Sequence, residues 1–170
     1  MKTPVWELFA DGTDKSVFWA DHKPNYRFAI FNNNTPGTAD DLVLDRETGL
    51  IWPRNASVIP AAQTWLDSNT TSRELRLANR IGWRLPTVEE LSSLVDIRNT
   101  IPALPTGHPF LSLQIAEASP AYWTSTNGEN SGSAAWFVNL RTGGAGLGTK
   151  SIDGFAWPVR GGRGGVNWNT

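Results

Sequence analysis

The chain has 170 residues, 39% of them apolar and 18% charged, with a formal net charge of −1 and no cysteine. That length suits one domain with a real core, and the balance is neither that of a disordered chain nor of a highly charged one. The missing thiols exclude disulfides, thiol chemistry and zinc–thiolate sites.

The opening stretch, Met1 to Gly12, holds one lysine and no apolar h-region, so no signal peptide is visible. A mature form that had lost its leader would read the same way. Residues 1–39 form an N-terminal arm or strand region packed on the domain. Within it "YRFAIF" (Tyr26–Phe31) alternates like a strand, and "NNNTPG" ends it with turn residues. "DDLVLDRETGLIWPR" (Asp40–Arg54) reads as strand, tight turn and strand, with Leu42 and Leu44 on one face. From Ser57 to about Arg80 the pattern predicts helix in two pieces, broken at "DSNTTS", with Pro60 in a first turn.

"IGWRLPTVEELSSLVD" (Ile81–Asp96) holds the clearest helix start. Thr87 caps, Glu90 reaches back to the cap N–H, and Leu91, Leu94 and Val95 form an apolar stripe. That helix runs to about Ile97. Arg98–Leu113 carries three prolines and predicts an ordered loop pinned by Ile101, Leu104 and Phe110. "AYWTST", "AAWFVNL" and "FAWPVRGG" follow as strand candidates. The polar "TSTNGENSGS" (Thr124–Ser133) reads as a solvated hairpin, and "RTGGAGLGTK" as a turn. Residues 164–170 are a flexible tail. No run approaches the roughly 18 apolar residues of a membrane span, so no membrane insertion is expected.

"LVLDRETGLIW", "WRLPTVEEL", "YWTST", "AWFVNL" and the closing "VRGG" occur in order between about Asp40 and Gly162. Together they resemble the bacterial domain family named after the C-terminal domain of the Legionella collagen-like protein. The resemblance implies an α+β, C-type lectin-like single domain over residues 40–163, related to the sulfatase-modifying factors. Two main helices would pack on a twisted antiparallel sheet with many long loops. On that fold Trp83 fills core space between the second helix and the sheet. Arg84 pairs with a carboxylate or with carbonyls, Asp96 and Glu89 being the candidate acids, and Arg160 is a structural partner of the sheet. Trp52, Trp123, Trp136 and Trp157 lie in strand-like segments and are expected in the core. Trp6, Trp19 and Trp168 lie in weakly patterned ends, where an exposed indole could serve a sugar.

The residues point away from catalysis. No nucleophile elbow, phosphate loop or zinc helix is present. Asp40–Asp41 and Glu89–Glu90 are adjacent pairs whose side chains point apart. The cysteines of formylglycine-generating relatives and the calcium motifs of sugar-binding C-type lectins are both missing. His22 and His108 are isolated. Asp11, Asp14, Asp40, Asp41 and Asp45 supply oxygen ligands in loops, but no metal or cofactor is expected. The expectation is therefore a non-enzymatic binding module, secreted, periplasmic or at the cell surface. Its first candidate ligand is a glycan, with an anionic one suggested by the family's adhesin for sulfated polysaccharides. The last thirty residues also carry Arg141, Lys150, Arg160 and Arg163 against Asp153 alone. Asn127, Asn130, Arg141, Lys150, Arg163 and Trp168 are the candidate contacts. Recognition of a host or partner protein is the alternative, a homo-oligomer stays open, and the acidic overall charge argues against nucleic acid despite "RGGRGG".

Overall fold

The computed structural model describes residues 27–31, 41–115, 121–129 and 131–161. The domain is mostly β and loop. Two three-stranded antiparallel sheets are present, one formed by β1 (Phe28–Phe31), β2 (Leu42–Asp45) and β3 (Leu50–Pro53). The other is formed by β4 (Tyr122–Gly128), β5 (Ser131–Val138) and β6 (Ala145–Thr149). The helices are α1 (Trp65–Glu74) and the five-residue α2 (Val88–Ser92). This corrects the expectation of an α+β, lectin-like domain built on two main helices. Helical pattern did not become helix on either side of α1. Residues 57–64 stay extended or turning, with the Asn55 side chain accepting the Ser57 N–H and Gln63 bridging Gly154. Beyond Glu74, Ala78 and Asn79 take positive φ, and Leu77 and Arg80 close a tight turn.

"DSNTTS" does not break the helix; it is the interior of α1. Thr64 accepts the Asp67 N–H as a cap, and the Thr70 and Thr71 hydroxyls bond back to the carbonyls of Leu66 and Asp67. The buried face of α1 is Ser68 and Ser72, four residues apart. Small side chains let the helix lie close, while Leu66 faces solvent.

The β2–β3 turn is organised by Asp45, whose side chain is fully buried. Its carboxylate accepts from Arg27 Nε (2.8 Å) and Nη2 (2.6 Å), from the Glu47 N–H and from the Thr48 hydroxyl. Gly49 then takes φ +72°, closing on the Asp45 carbonyl. Both faces of this sheet are covered. Val43, Leu50 and Trp52 enter the main core with Leu91, Leu94, Phe110, Tyr122 and Trp157. Leu42 packs with Trp83 and Leu77 on the other side. Trp83 thus fills space between the first sheet and the α1–α2 connection rather than beneath α2.

A bulge in β4 between Trp123 and Asn127 turns backbone and hydroxyl groups toward both helices. Trp65 of α1 donates its indole N–H to the Thr124 carbonyl, and Val88 of α2 donates to the Thr126 hydroxyl. Of the expected last strand, Phe155–Gly162, the described residues Phe155–Gly161 form only single bridges. Gly154, Phe155, Val159 and Arg160 touch Gln63, Tyr122, Arg84 and Ile51 in turn. This segment is the seam between the sheets. The proline loop is held by Leu104 and Phe110 as expected, but Ile101 is exposed.

Candidate functional site

The candidate contacts do not form one face. Lys150 donates to the Gly132 carbonyl at 2.9 Å and lies 4.2 Å above the Trp65 ring, clasping α1 to the second sheet. Arg141 donates to the Ile115 carbonyl. These two cations sit at opposite ends of β6, whose five residues span roughly 3.4 Å each. A single anionic group therefore cannot bridge them. Asn127 is exposed on β4, opposite Ala135. "RTGGAGLGTK" is a turn followed by strand β6, not a turn alone. Asn130, Arg163 and Trp168, with Trp6, Trp19, His22, Asp11, Asp14 and Asp40, lie outside the described residues.

Among the residues given a structural role, Trp52, Trp83, Trp123 and Trp157 are fully buried. Trp136 is only half-buried and faces Leu147 across the sheet. Thr87 and Glu90 form the capping box. Arg84 does pair with a carboxylate and with carbonyls, those of Leu85 and Gly161, but the acid is neither Asp96 nor Glu89. It grips Glu90 through two 2.7 Å bonds, while Asp96 is taken by Arg98. Of the loop carboxylates, Asp41 pairs with Arg54 and Asp45 with Arg27, so their charges are already balanced by guanidinium groups. No group of three metal-binding side chains converges among the described residues.

Among the described residues, two features could receive a ligand. A depression floored by Trp123 and Phe137, with Asn139 and Asp153 at its rim, holds about 180 Å³. That is below the roughly 300 Å³ at which ligand pockets begin. The second is electrostatic. The stretches 80–84 and 159–161 run side by side, joined by paired backbone bonds between Arg84 and Val159. Arg160 lies over Gly82 and close enough to Arg80 for the two charges to interact. Burial, and then the Arg80 charge, lower the Arg160 pKa. Arg84 reaches the same place, donating to the Gly161 carbonyl at 2.9 Å. Gly82 and Gly161 are exposed and take positive φ, so backbone is open to solvent beside three guanidinium groups.

Sequence reasoning gave Arg160 a structural role and passed over Arg80. The signal available was local: arginine next to glycine twice, in "RIGWR" and "VRGG". Nothing in either stretch says that they meet. The sequence model of the family described as Lcl C-terminal domain matches residues 41–160, which takes in all three arginines. Comparison with curated proteins finds no match.

Proposed function

The chain belongs to the Lcl C-terminal domain family, and from that premise we propose that it is a non-enzymatic module that binds an anionic glycan, displayed outside the cytoplasm or at the cell surface. The observation that carries this reading is the meeting of stretches 80–84 and 159–161, where the Arg160 guanidinium lies over the exposed Gly82 and Arg84 donates to the Gly161 carbonyl. Arg160 is half-buried, and a guanidinium that has lost part of its hydration gains most from an anion set over it. Guanidinium groups suit sulfate and carboxylate because their planar donors bind two oxygens at once. Arg84, its charge balanced by Glu90, holds the Gly161 backbone in place beside Arg160. The exposed Gly82 and Gly161 let a bulky sugar approach without meeting side chains.

Titration with a sulfated oligosaccharide over a range of salt tests the reading. Arg80→Ser should weaken binding at least tenfold and flatten the salt slope, whereas Arg141→Ser with Lys150→Ser should leave both nearly unchanged. Unchanged affinity in Arg80→Ser, or salt-independent binding by the parent protein, would overturn it.

A further inference from the structure

The depression on the second sheet has the size of one chemical group rather than of a whole ligand, about 180 Å³. Its floor is apolar. The Phe137 and Trp123 rings meet edge to face with centroids 6.3 Å apart. Gly146 and Gly148 of β6 leave the room that Phe137 occupies, since a Cβ would lie 3.0 Å from that ring at the first and 3.2 Å from it at the second. One wall is bare backbone. A Cβ on Gly154 would lie 2.6 Å from the Trp123 indole nitrogen, so only glycine fits there. That wall is rigid, because Gly154 and Gln63 exchange backbone bonds in both directions and the indole N–H donates to the Gln63 carbonyl at 3.2 Å. Ile152, half exposed, carries the apolar lining out to the surface.

The rim carries a donor and an acceptor that the fold does not use. Asn139 is held by its N–H on the Gly144 carbonyl, by its carbonyl on the Gly143 N–H and by its Oδ1 on the Arg141 N–H. The Nδ2 donors are left without a partner among the described residues. Asp153 is exposed, and its carboxylate has no partner among them either. It is the one charged side chain among the described residues of the lining. An apolar floor with a donor and an acceptor at its mouth is the complement of an acetamido group. Such a group offers an N–H, a carbonyl and a methyl in one plane.

We propose that this depression binds the acetamido group of an uncharged N-acetylated amino sugar. The methyl rests on Phe137 and Trp123, the amide N–H donates to Asp153, and the carbonyl accepts from Asn139 Nδ2. The bond to Asp153 is charge-assisted and is the stronger of the two. A small organic cation fits less well. Trp123 is only 1% exposed, so its ring face is closed to a cation, and the Asn139 donors would face the positive charge. An acetylated lysine fits less well too, since about 180 Å³ leaves no channel for its long alkyl stem. A pyranose ring instead lies across the mouth with its hydroxyls in water. Asp153 also sets the charge class of the sugar. A sulfate or carboxylate beside the acetamido group would face that carboxylate, so the site turns away the anionic ligands that suit guanidinium groups. The inference does not rest on the arginine site. Gly154 and Arg160 make the first and last bridges of the seam, and each site can be filled without the other.

Saturation-transfer NMR with the methyl glycoside of N-acetylglucosamine tests this. On irradiation of the protein, the acetyl methyl should receive more saturation than any ring proton, with a dissociation constant in the millimolar range. The methyl glycosides of glucose, glucosamine and N-sulfoglucosamine should bind about tenfold more weakly or not at all. Asp153→Ala should weaken the N-acetylated glycoside by about tenfold. Its melting temperature should stay that of the parent, because Asp153 makes no bond to the described residues. Arg80→Ser should leave this binding as it was, so that failure here and failure at the arginine site are told apart. No saturation of the methyl, or unchanged affinity in Asp153→Ala, would overturn the proposal. Equal binding of the glucosamine glycoside would replace it with a cation site, and equal binding of Nε-acetyl-lysine amide with a site for acetylated peptides.

Discussion

Arg84 and Glu90 meet through two hydrogen bonds of 2.7 Å each, and the same carboxylate closes the α2 cap by accepting the Thr87 N–H at 2.9 Å. Arg84 also holds the Gly161 carbonyl. One ion pair therefore ties a helix start, the segment before it and the seam of the domain into a single joint.

Removing Glu90 should accordingly cost more than removing the cap alone. Thr87→Ala loses one cap bond, about 1 kcal/mol. Glu90→Ala leaves a partly buried guanidinium with only carbonyl partners, about 2 kcal/mol. Urea titration should order the midpoints as parent, Thr87→Ala, Glu90→Ala. The reverse order would show that the ion pair contributes little.

Acid should weaken the fold in two stages. Burial alone pushes the His108 pKa down, so the unfolded chain binds the proton first and stability falls as pH drops below about 6.5. Burial works to raise the Glu90 pKa, but the Arg84 hydrogen bonds, the Thr87 N–H and the Arg84 charge outweigh it and the net shift is downward. Asp96, hydrogen-bonded by Arg98, is held at about 2. Their contributions are complete above the ordinary carboxyl range and are lost as pH falls through the lowered values. Melting temperature against pH should show a shallow limb near 6 and a steep one below 4. His108→Gln should remove the first limb only.

Asp45→Asn tests the buried turn. The substitution leaves Arg27 with an amide, the exposed Glu47 carboxylate at 3.1 Å and the Ser93 carbonyl, and breaking a buried pair costs roughly 3–5 kcal/mol. Since the side chain of Arg27 is 18% exposed, the lower end is expected. A melting temperature within a degree or two of the parent would mean that the turn is held by backbone alone.

The tryptophans should separate by burial. Trp83→Ala empties a closed site and should cost about 3–5 kcal/mol. Trp136→Ala, on a half-open face, should cost less than half of that. Equal losses would place Trp136 in a closed core.

What was legible in the sequence was local. The Thr87–Glu90 box, the turn of "DRETG", the hairpin at Gly128 and the burial of Trp52 and Trp157 each follow from a few neighbouring residues. Helix extent was not legible, because the apolar spacing around Leu75 and Leu77 serves packing on Trp83 from a loop. The interior of α1 is not legible either, since serine and threonine usually favour turns; here the Thr70 and Thr71 hydroxyls bond back along the helix. The sequence marks Glu90 as a cap and does not mark it as the partner of Arg84, although one carboxylate has oxygens for both. The Arg80–Arg160 meeting is a product of topology. No period or motif records it.

The seam has a consequence for how the domain comes into being. Residues 154–160 supply the bridges to Gln63, Tyr122, Arg84 and Ile51, so the earlier strands must wait for the last part of the domain to leave the ribosome. Until then the first sheet lacks its Arg160 neighbour, and Trp52 lacks the Trp157 ring that sits 5.1 Å away. Contacts so distant along the chain form slowly. The nascent polypeptide thus keeps its tryptophan-rich core incomplete until residues 154–160 can close it.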